Sequence, residues 1–380
     1  MSDISLILLG AGSSSRFRRG SNKVYPKKQW LYSDNKPIWL QVVENFEEMY
    51  DFKEIVIVSS QEDIKYMANF VTHKLVLGGN SRQESLTNAI EDIDSPFVLV
   101  SDIARCCIDR DMIERVIGTR DIADCIVPSL GSVDTVYFEN NPVNRDDIKM
   151  IQTPQLSRTA MLKKALGFGI EFSDDSSAIS HIGGSVEFVD GSINAHKLTT
   201  INDIQSIRCI EPPSNNQLIG FGVDIHPFIK NKKMFLCGVE IDNLDYGFKA
   251  HSDGDVAIHA IIDALLGASG MGDIGELYPD NDNKYSNIDS KVLLQDTVDR
   301  VRSVGFDIIN VDITILAQKP RLLNYKAQMR EVISSILGVE RRFVNIKATT
   351  GERLGFVGRE EGVMVEAVSS LKYFDWTKIK

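Results

Sequence analysis

Short apolar runs rich in β-branched residues alternate with segments whose apolar residues recur every three to four positions. Residues 4–9, 54–59, 97–101 and 124–128 fit buried strands, and 37–49, 61–72, 81–91 and 110–118 fit amphipathic helices. Strand and helix in this alternation predict an α/β region with a mostly parallel sheet. The stretch 131–155 breaks the rhythm: two extended segments, 135–138 and 148–151, flank the polar 139–147, which predicts a protruding hairpin arm. At 209–217 the sequence CIEPPSNNQ joins two prolines to three amide side chains, a combination that stops regular structure. Two domains are expected, 1–208 and 218–380, with 209–217 as linker. Beyond the linker, strands at 218–224, 308–316, 343–348 and 362–371 and helices at 255–266, 290–304 and 322–337 predict a separate α+β domain. Its sheet has one apolar face, since Val311, Ile313 and Ile315 alternate with Asp312 and Thr314.

Composition narrows the function. The chain has 380 residues, 43% apolar and 25% charged, and a formal charge of −11, so a nucleic-acid backbone or an anionic membrane is not its expected partner. No apolar run reaches the ~18 residues of a membrane span. Asp3 stands where a secretory signal carries basic charge, which makes a cytoplasmic location the default. The five cysteines are odd in number and form no C-x-x-C pair, so reduced thiols are expected, with neither a disulfide framework nor a thiolate metal site. No repeat of 20–50 residues is present, which excludes solenoids and propellers.

Two groups of residues carry candidate chemistry. The first strand runs into GAGSSSRF, Gly10 to Phe17, where small residues (Ala11, Gly12, Ser13) let the backbone approach an anion and Arg16 adds a fixed positive charge. The pattern is neither the dinucleotide fingerprint nor the P-loop. After the linker, the alternation of a strand puts Asp224 and His226 on one face, a metal half-site. His259 is available as a third ligand, and three protein ligands with an open position suit a catalytic zinc. Asp255, His259 and Asp263 fall on one stripe of an otherwise apolar helix, so a carboxylate one turn away is expected to orient the imidazole.

The first group has company downstream: Pro26-Lys27-Lys28-Gln29, Gly78-Gly79-Asn80-Ser81-Arg82, Ser101-Asp102-Ile103-Ala104-Arg105, Asp134-Thr135, Thr153-Pro154-Gln155, Ser173 to Ala178 and Lys197-Leu198-Thr199. In this order the motifs resemble the 2-C-methyl-D-erythritol 4-phosphate cytidylyltransferase family. The resemblance implies a Rossmann-like α/β nucleotidyltransferase that joins CTP to methylerythritol 4-phosphate and releases pyrophosphate with Mg²⁺. It also implies that Arg16, Lys28 and Lys197 stabilise the charge developing on the triphosphate, with Asp102 near the ribose and metal. Gly79, Asn80 and Ser85 would read the nucleoside. Thr135 and Arg145 would hold the acceptor phosphate from an arm that reaches into a dimer partner. Where the family carries one lysine before Gln, this chain has two. Lys28 is preferred over Lys27 because it abuts Gln29.

The second half carries Gly220 to His226, Ala250-His251-Ser252-Asp253-Gly254-Asp255, Gly272 to Asp280, Lys347-Ala348-Thr349-Thr350 and Leu354-Gly355-Phe356-Val357-Gly358-Arg359. These resemble 2-C-methyl-D-erythritol 2,4-cyclodiphosphate synthase, an α+β phosphorus–oxygen lyase. The resemblance implies that the substrate's 2-phosphate attacks the β-phosphate of its own cytidine diphosphate group, releasing CMP. Zn²⁺ would sit on Asp224, His226 and His259, and Glu352 would hold Mg²⁺ or Mn²⁺. His251, Ser252 and Thr350 would contact phosphates, Asp273 and Gly275 the erythritol hydroxyls, and Phe356 and Arg359 belong to the substrate-binding motif. The family's Thr-Thr-Thr-Glu reads Thr349-Thr350-Gly351-Glu352 here, and the glycine is expected to loosen that turn. The whole chain looks like a fusion of the two activities in the non-mevalonate isoprenoid pathway. A trimer through the C-terminal domain is expected, or a hexamer if the dimer contact also persists.

Overall fold

The computed structural model describes residues 2–18, 25–250, 252–279, 281–285 and 288–379. Contacts divide the chain into two units. One holds the first strand, Lys27–Pro212 and the last residues from Trp376; the other holds Pro213–Asp375, joined by Tyr25 and Pro26. The division at Pro212 lies within the 209–217 segment. Residues from Trp376 onward, expected in the second domain, belong to the first unit: the Trp376 side chain is buried and its Nε1 donates to Tyr32 O at 2.7 Å. Among the described residues no helix is long and apolar enough to cross a membrane.

The first unit is built on a mostly parallel sheet. Strand β1 (Ile4–Leu9) pairs in parallel with β2 (Ile55–Ser59) and β4 (Phe97–Asp102), and β3 (Lys74–Leu77) extends the edge beyond β2. Beyond β4, the strand Gln155–Arg158 inserts antiparallel between it and β5 (Cys125–Gly131). Both faces of β1 are covered. Ile7 packs in a cluster with Leu86, Ala89, Ile90 and Leu162, while Leu6 and Leu8 on the opposite face are also fully buried. Such two-sided burial explains why the strands read as continuous apolar runs. The site-bearing loops leave the C-terminal ends of β1 and β4, where ligands gather in open α/β sheets.

Three expectations need correction in this unit. The segment 61–72 forms one helical turn, Ile64–Met67, and continues in i+3 turns at Asn69 and Phe70. Stacking of Tyr66 and edge contact of Phe70 on buried Trp30 favour that compact path. In the arm, Val136–Phe138 pairs with Asn141–Val143 around Glu139 and Asn140, both at positive φ, and Lys149–Ile151 returns to Ser129–Gly131. The tight two-residue turn was hidden inside a polar stretch. Finally, Cys107 and Cys209 form a disulfide with Cα atoms 5.5 Å apart, while Cys106, Cys125 and Cys237 are buried and free. The pairing joins residues 102 positions apart, a proximity that cysteine count and local spacing do not encode.

The second unit is a five-stranded sheet with helices on one face. Strand β6 (Gln217–Lys230) lies antiparallel to β9 (Gly362–Tyr373), which pairs antiparallel with β7 (Phe306–Leu316), itself parallel to β8 (Val344–Thr349). Val311, Ile313 and Ile315 are fully buried, as the alternation predicts. Helix α1 (Val256–Ser269) packs across β6 and β9. Its approach to β6 requires two glycines. A Cβ on Gly220 would lie 1.9 Å from Ala264 O, and one on Gly222 would lie 2.1 Å from Ala260 O. That close contact sets His259 beside Asp224 in the middle of β6, a strand that runs on to Lys230 rather than ending at Asp224 as the sequence suggested.

Candidate active sites

The first cavity, about 530 Å³, is lined by the loop after β1, by Arg16, Lys28 and Gln29, by Gly79 to Arg82 with Ser85, and by Asp102 and Lys197. Gln29 organises it. Its side chain donates to Gly10 O (3.2 Å) and Gly12 O (3.5 Å) and accepts from Ser14 Oγ (3.1 Å). Ser14 Oγ in turn accepts from Lys28 N at 3.2 Å, which holds Ser14 at a φ of 57°. The glycine loop is thus fastened through side chains, leaving a curved backbone surface toward the cavity.

Four cations, Arg16, Lys28, Arg82 and Lys197, face one carboxylate, Asp102, around this space. Lys197 Nζ meets Asp102 Oδ2 at 2.6 Å and Arg82 Nε stands 3.7 Å from Oδ1. Burial would raise the Asp102 carboxyl, but Lys197 and Arg82 outweigh it and hold it below the usual carboxylate range. Burial, then Lys197, pulls the Lys28 ammonium down to about 8, with Asp102 opposing. Lys28 Nζ donates to Leu198 O at 2.9 Å. Lys27 turns away into an ion pair with Glu62 (2.8 Å) and buried Asp63 (2.9 Å). The local excess of positive charge overrides the chain's net −11 and suits a polyanion.

Ala11, Gly12, Ser13, Arg16, Lys28, Gly79, Asn80, Ser85, Asp102 and Lys197 therefore come together as expected from the motifs. Thr135 and Arg145 are exposed on the arm and line no part of this cavity. Arg82, quoted in a motif but given no role, lines it; Nη1 is held by buried Asp175 at 2.8 Å and Nη2 is buried without a hydrogen-bond partner. An Arg three residues beyond a Gly-Gly turn and on the first turn of the helix Arg82–Ile90 was the signal available.

The second cavity, about 330 Å³, is lined by Asp224, His226, Lys249, Ser252, His259, Asp263 and Gly275, with Tyr278, Tyr285, Ile288 and Leu293 as an apolar wall. Asp224 Oδ2 lies 3.0 Å from His226 Nδ1 and 3.2 Å from His259 Nδ1. The three donor atoms fall within 4.8 Å of one another, a group able to hold a metal ion. His226 Nδ1 is buried and, despite its distance to Asp224, is not directed for a hydrogen bond. A lone pair left in that position fits coordination rather than a second hydrogen bond.

The helix stripe holds a surprise. Asp255 does not orient His259: it is fully buried as the N-cap of α1, accepting from Ile258 N, Cys237 N and Gly238 N. Asp263 accepts from Ile274 N at 2.8 Å and lines the cavity. The partner of His259 comes instead from Ser290, whose Oγ lies 3.0 Å from Nε2, with Ser252 Oγ at 3.3 Å. A cap competes well for a carboxylate at a helix start, and the spacing alone does not reveal that competition.

Ser252 and Gly275 line this cavity, whereas Asp273 caps the short helix Ile274–Leu277 and does not. His251 lies outside the described residues. Thr350, Glu352, Phe356 and Arg359 line neither cavity. Glu352 accepts from Thr350 Oγ1 at 2.6 Å and Arg359 pairs with Glu361 at 2.8 Å. Gly351 does not loosen its turn: a Cβ there would approach Gly358 N to 2.8 Å, so the turn is closely packed.

Comparison with known proteins agrees with this division. The sequence profile of 2-C-methyl-D-erythritol 4-phosphate cytidylyltransferase matches residues 4–210, and that of the YgbB family matches residues 217–372. The chain is 57% identical over 376 residues to the bifunctional enzyme IspD/IspF of Sulfurovum sp. (strain NBC37-1), covering 99% of each chain. It is 50% identical over 380 residues to the enzyme of the same name from Campylobacter fetus subsp. fetus (strain 82-40), covering all of both. The structure of the bifunctional IspDF from Campylobacter jejuni superposes with a TM-score of 0.89 at 46% identity, covering 99% of this chain and 100% of that one.

Proposed function

Since this chain belongs to the bifunctional IspD/IspF enzymes, we propose which of its residues carry each of the two reactions and which metals serve them. It is a cytidylyltransferase and a cyclodiphosphate synthase of the non-mevalonate isoprenoid pathway. Both parent families are metal-dependent.

In the first reaction the phosphate of methylerythritol 4-phosphate attacks the α-phosphorus of CTP, and the bond to the β-phosphate breaks to release pyrophosphate. Two anions must be brought together and charge spreads over a five-coordinate centre, so fixed cations lower the barrier without moving a proton. Arg16, Lys28 and Lys197 take this role, with Arg82 added to the set. Gly79, Asn80 and Ser85 face the nucleoside, and Thr135 and Arg145 of a second copy supply the acceptor site. Asp102 is the one carboxylate among the described lining residues and would hold Mg²⁺, which would supply charge neutralisation to the triphosphate.

In the second reaction the substrate's 2-phosphate attacks the β-phosphorus of its cytidine diphosphate group, and the bond from that phosphorus to the oxygen bridging it to the α-phosphorus breaks, so that the bridging oxygen leaves with CMP. Asp224, His226 and His259 would hold Zn²⁺, which when bound supplies a Lewis acid that polarises the β-phosphate. Ser252, His251 and Thr350 bind phosphate oxygens, and Gly275 and Asp273 the erythritol hydroxyls. Glu352 fits a second metal, Mg²⁺ or Mn²⁺, only when contributed by a neighbouring copy, and Phe356 and Arg359 follow it. Sharing is supported by the outer face of β6, where Ile219, Phe221 and Ile225 are 70%, 59% and 48% exposed in a single chain. We propose C-terminal trimers, tied by N-terminal dimers into a hexamer of about 250 kDa from chains of 42.4 kDa.

The observation that carries this assignment is the segregation of charge: cations line one cavity, and the Asp224, His226 and His259 donors line the other. The test is a cross of two variants against two assays. His259→Ala should abolish cyclisation and leave cytidylyl transfer near wild type, while Arg16→Ala does the reverse. Loss of both activities in either variant, with circular dichroism unchanged, overturns it.

A further inference from the structure

Ser290 is fully buried at the first position of the helix Ser290–Ser303, between His259 and Asp253. Its Oγ donates to Asp253 Oδ1 at 2.5 Å, and Asp253 is fixed further by accepting from Ser290 N and Asp255 N, both at 3.2 Å. The same Oγ lies 3.0 Å from His259 Nε2. A hydroxyl carries one hydrogen. With that hydrogen committed to a carboxylate in a short, charge-assisted bond, the oxygen meets Nε2 with a lone pair. A contact of 3.0 Å between Ser290 Oγ and Nε2 then requires the hydrogen to sit on Nε2.

Ser252 Oγ, 3.3 Å from the same nitrogen, accepts from Gly254 N at 3.1 Å and is the longer of the two contacts. Placing the hydrogen on Ser252 instead would set two lone pairs against each other across the shorter Ser290 contact. The shorter contact decides the tautomer.

From these distances we infer that Ser290, anchored by Asp253, is a positioning residue that fixes His259 as the Nε2–H tautomer and so aims the Nδ1 lone pair at the metal position. The inference rests on reading Asp224, His226 and His259 as metal ligands. Nδ1 faces Asp224 Oδ2 at 3.2 Å, a contact that a proton bridges when no metal is bound; with Nε2 already protonated, the Nδ1 lone pair is the one a cation takes up in place of that proton. Neither Asp253 nor Ser290 lines the cavity, so both act through the imidazole.

The test uses full-length protein carrying Ser290→Ala, Ser290→Thr or His259→Ala. Zinc affinity is measured by chelator competition, and the His259 tautomer by ¹⁵N chemical shifts of the zinc-loaded protein. Ser290→Ala should weaken zinc binding ~10- to 100-fold, the usual cost of removing a group that orients a metal-bound imidazole, and should lose the pure Nε2–H signature. Ser290→Thr keeps the hydroxyl and should restore both readouts, which separates the role from a packing defect. Wild-type affinity and tautomer in a folded Ser290→Ala overturn the inference while His259→Ala still loses zinc. Failure of the wild-type chain to bind zinc overturns the metal reading and the inference together.

Discussion

The two cavities differ in where their polar residues come from. Around the first, loops at the ends of parallel strands bring Arg16, Lys28, Asp102 and Lys197 together within one chain, and of the expected residues only Thr135 and Arg145 stand apart. Around the second, β6 and α1 deliver Asp224, His226 and His259, but Thr350, Glu352, Phe356 and Arg359 stay outside. The first takes all but those two from a single chain. The second gathers only part of its expected set within one chain, which is what the proposed sharing between copies requires, and the apolar residues Ile219, Phe221 and Ile225 of β6 are exposed beside it. A motif therefore identifies a site residue without saying whose copy of the chain will use it.

That contrast breaks most visibly at the adjacent lysines. Lys28→Ala should lower transferase kcat ~10²-fold or more, the scale for removing one group that stabilises the transition state. Lys27→Ala should leave kcat close to wild type per folded molecule but unpair buried Asp63, at a cost of about 3–5 kcal/mol seen in thermal melts. If Lys27→Ala slows the chemistry and Lys28→Ala does not, the cavity is wrongly assigned. A smaller effect sharpens the other side. Cyclisation-dead His259→Ala and Glu352→Ala chains, mixed after dissociation, should regain about a quarter of wild-type cyclisation, because random assembly gives one shared site in four both intact residues. No recovery means that Glu352 serves its own chain.

The smallest effect is a fraction of a proton. The free cavity holds Lys28 at about 8, and a triphosphate beside it raises that value. CTP binding near pH 8 to 9 should take up protons, and the uptake should vanish by about pH 6, where Lys28 is already charged. Calorimetry in buffers of different ionisation enthalpy measures it, and Lys28→Ala should abolish it.

Most of the fold was legible because burial repeats with the period of the element. Ile7, Val56 and Val98 in one unit and Val311 to Ile315 in the other declare their strands directly. The short helix Ile64–Met67 was not legible, because aromatic packing on Trp30 overrides helical spacing. The first cavity was legible as a set of motifs, and the pairing of Lys27 with Asp63 leaves Lys28 as the neighbour that faces it. The role of Asp255 misled because a cap and an orienting carboxylate occupy the same kind of sequence position. Ser290 carried no signal at all, since its meaning depends on Asp253 and His259 meeting it in space.

The return of the chain at Trp376 bears on how the second unit unfolds. The backbone leaves the first unit after Pro212 and rejoins it where the indole of Trp376 is bonded to Tyr32 O, so the segment between is a loop pinned at both ends. An unfolded segment tethered at two points samples fewer configurations than one hanging free, and the closure term grows only with the logarithm of its length. Part of the persistence of the second unit thus lies in the restricted freedom of its denatured state. Removing the last five residues would be felt there as well as in the first unit, although no residue of the second unit had changed.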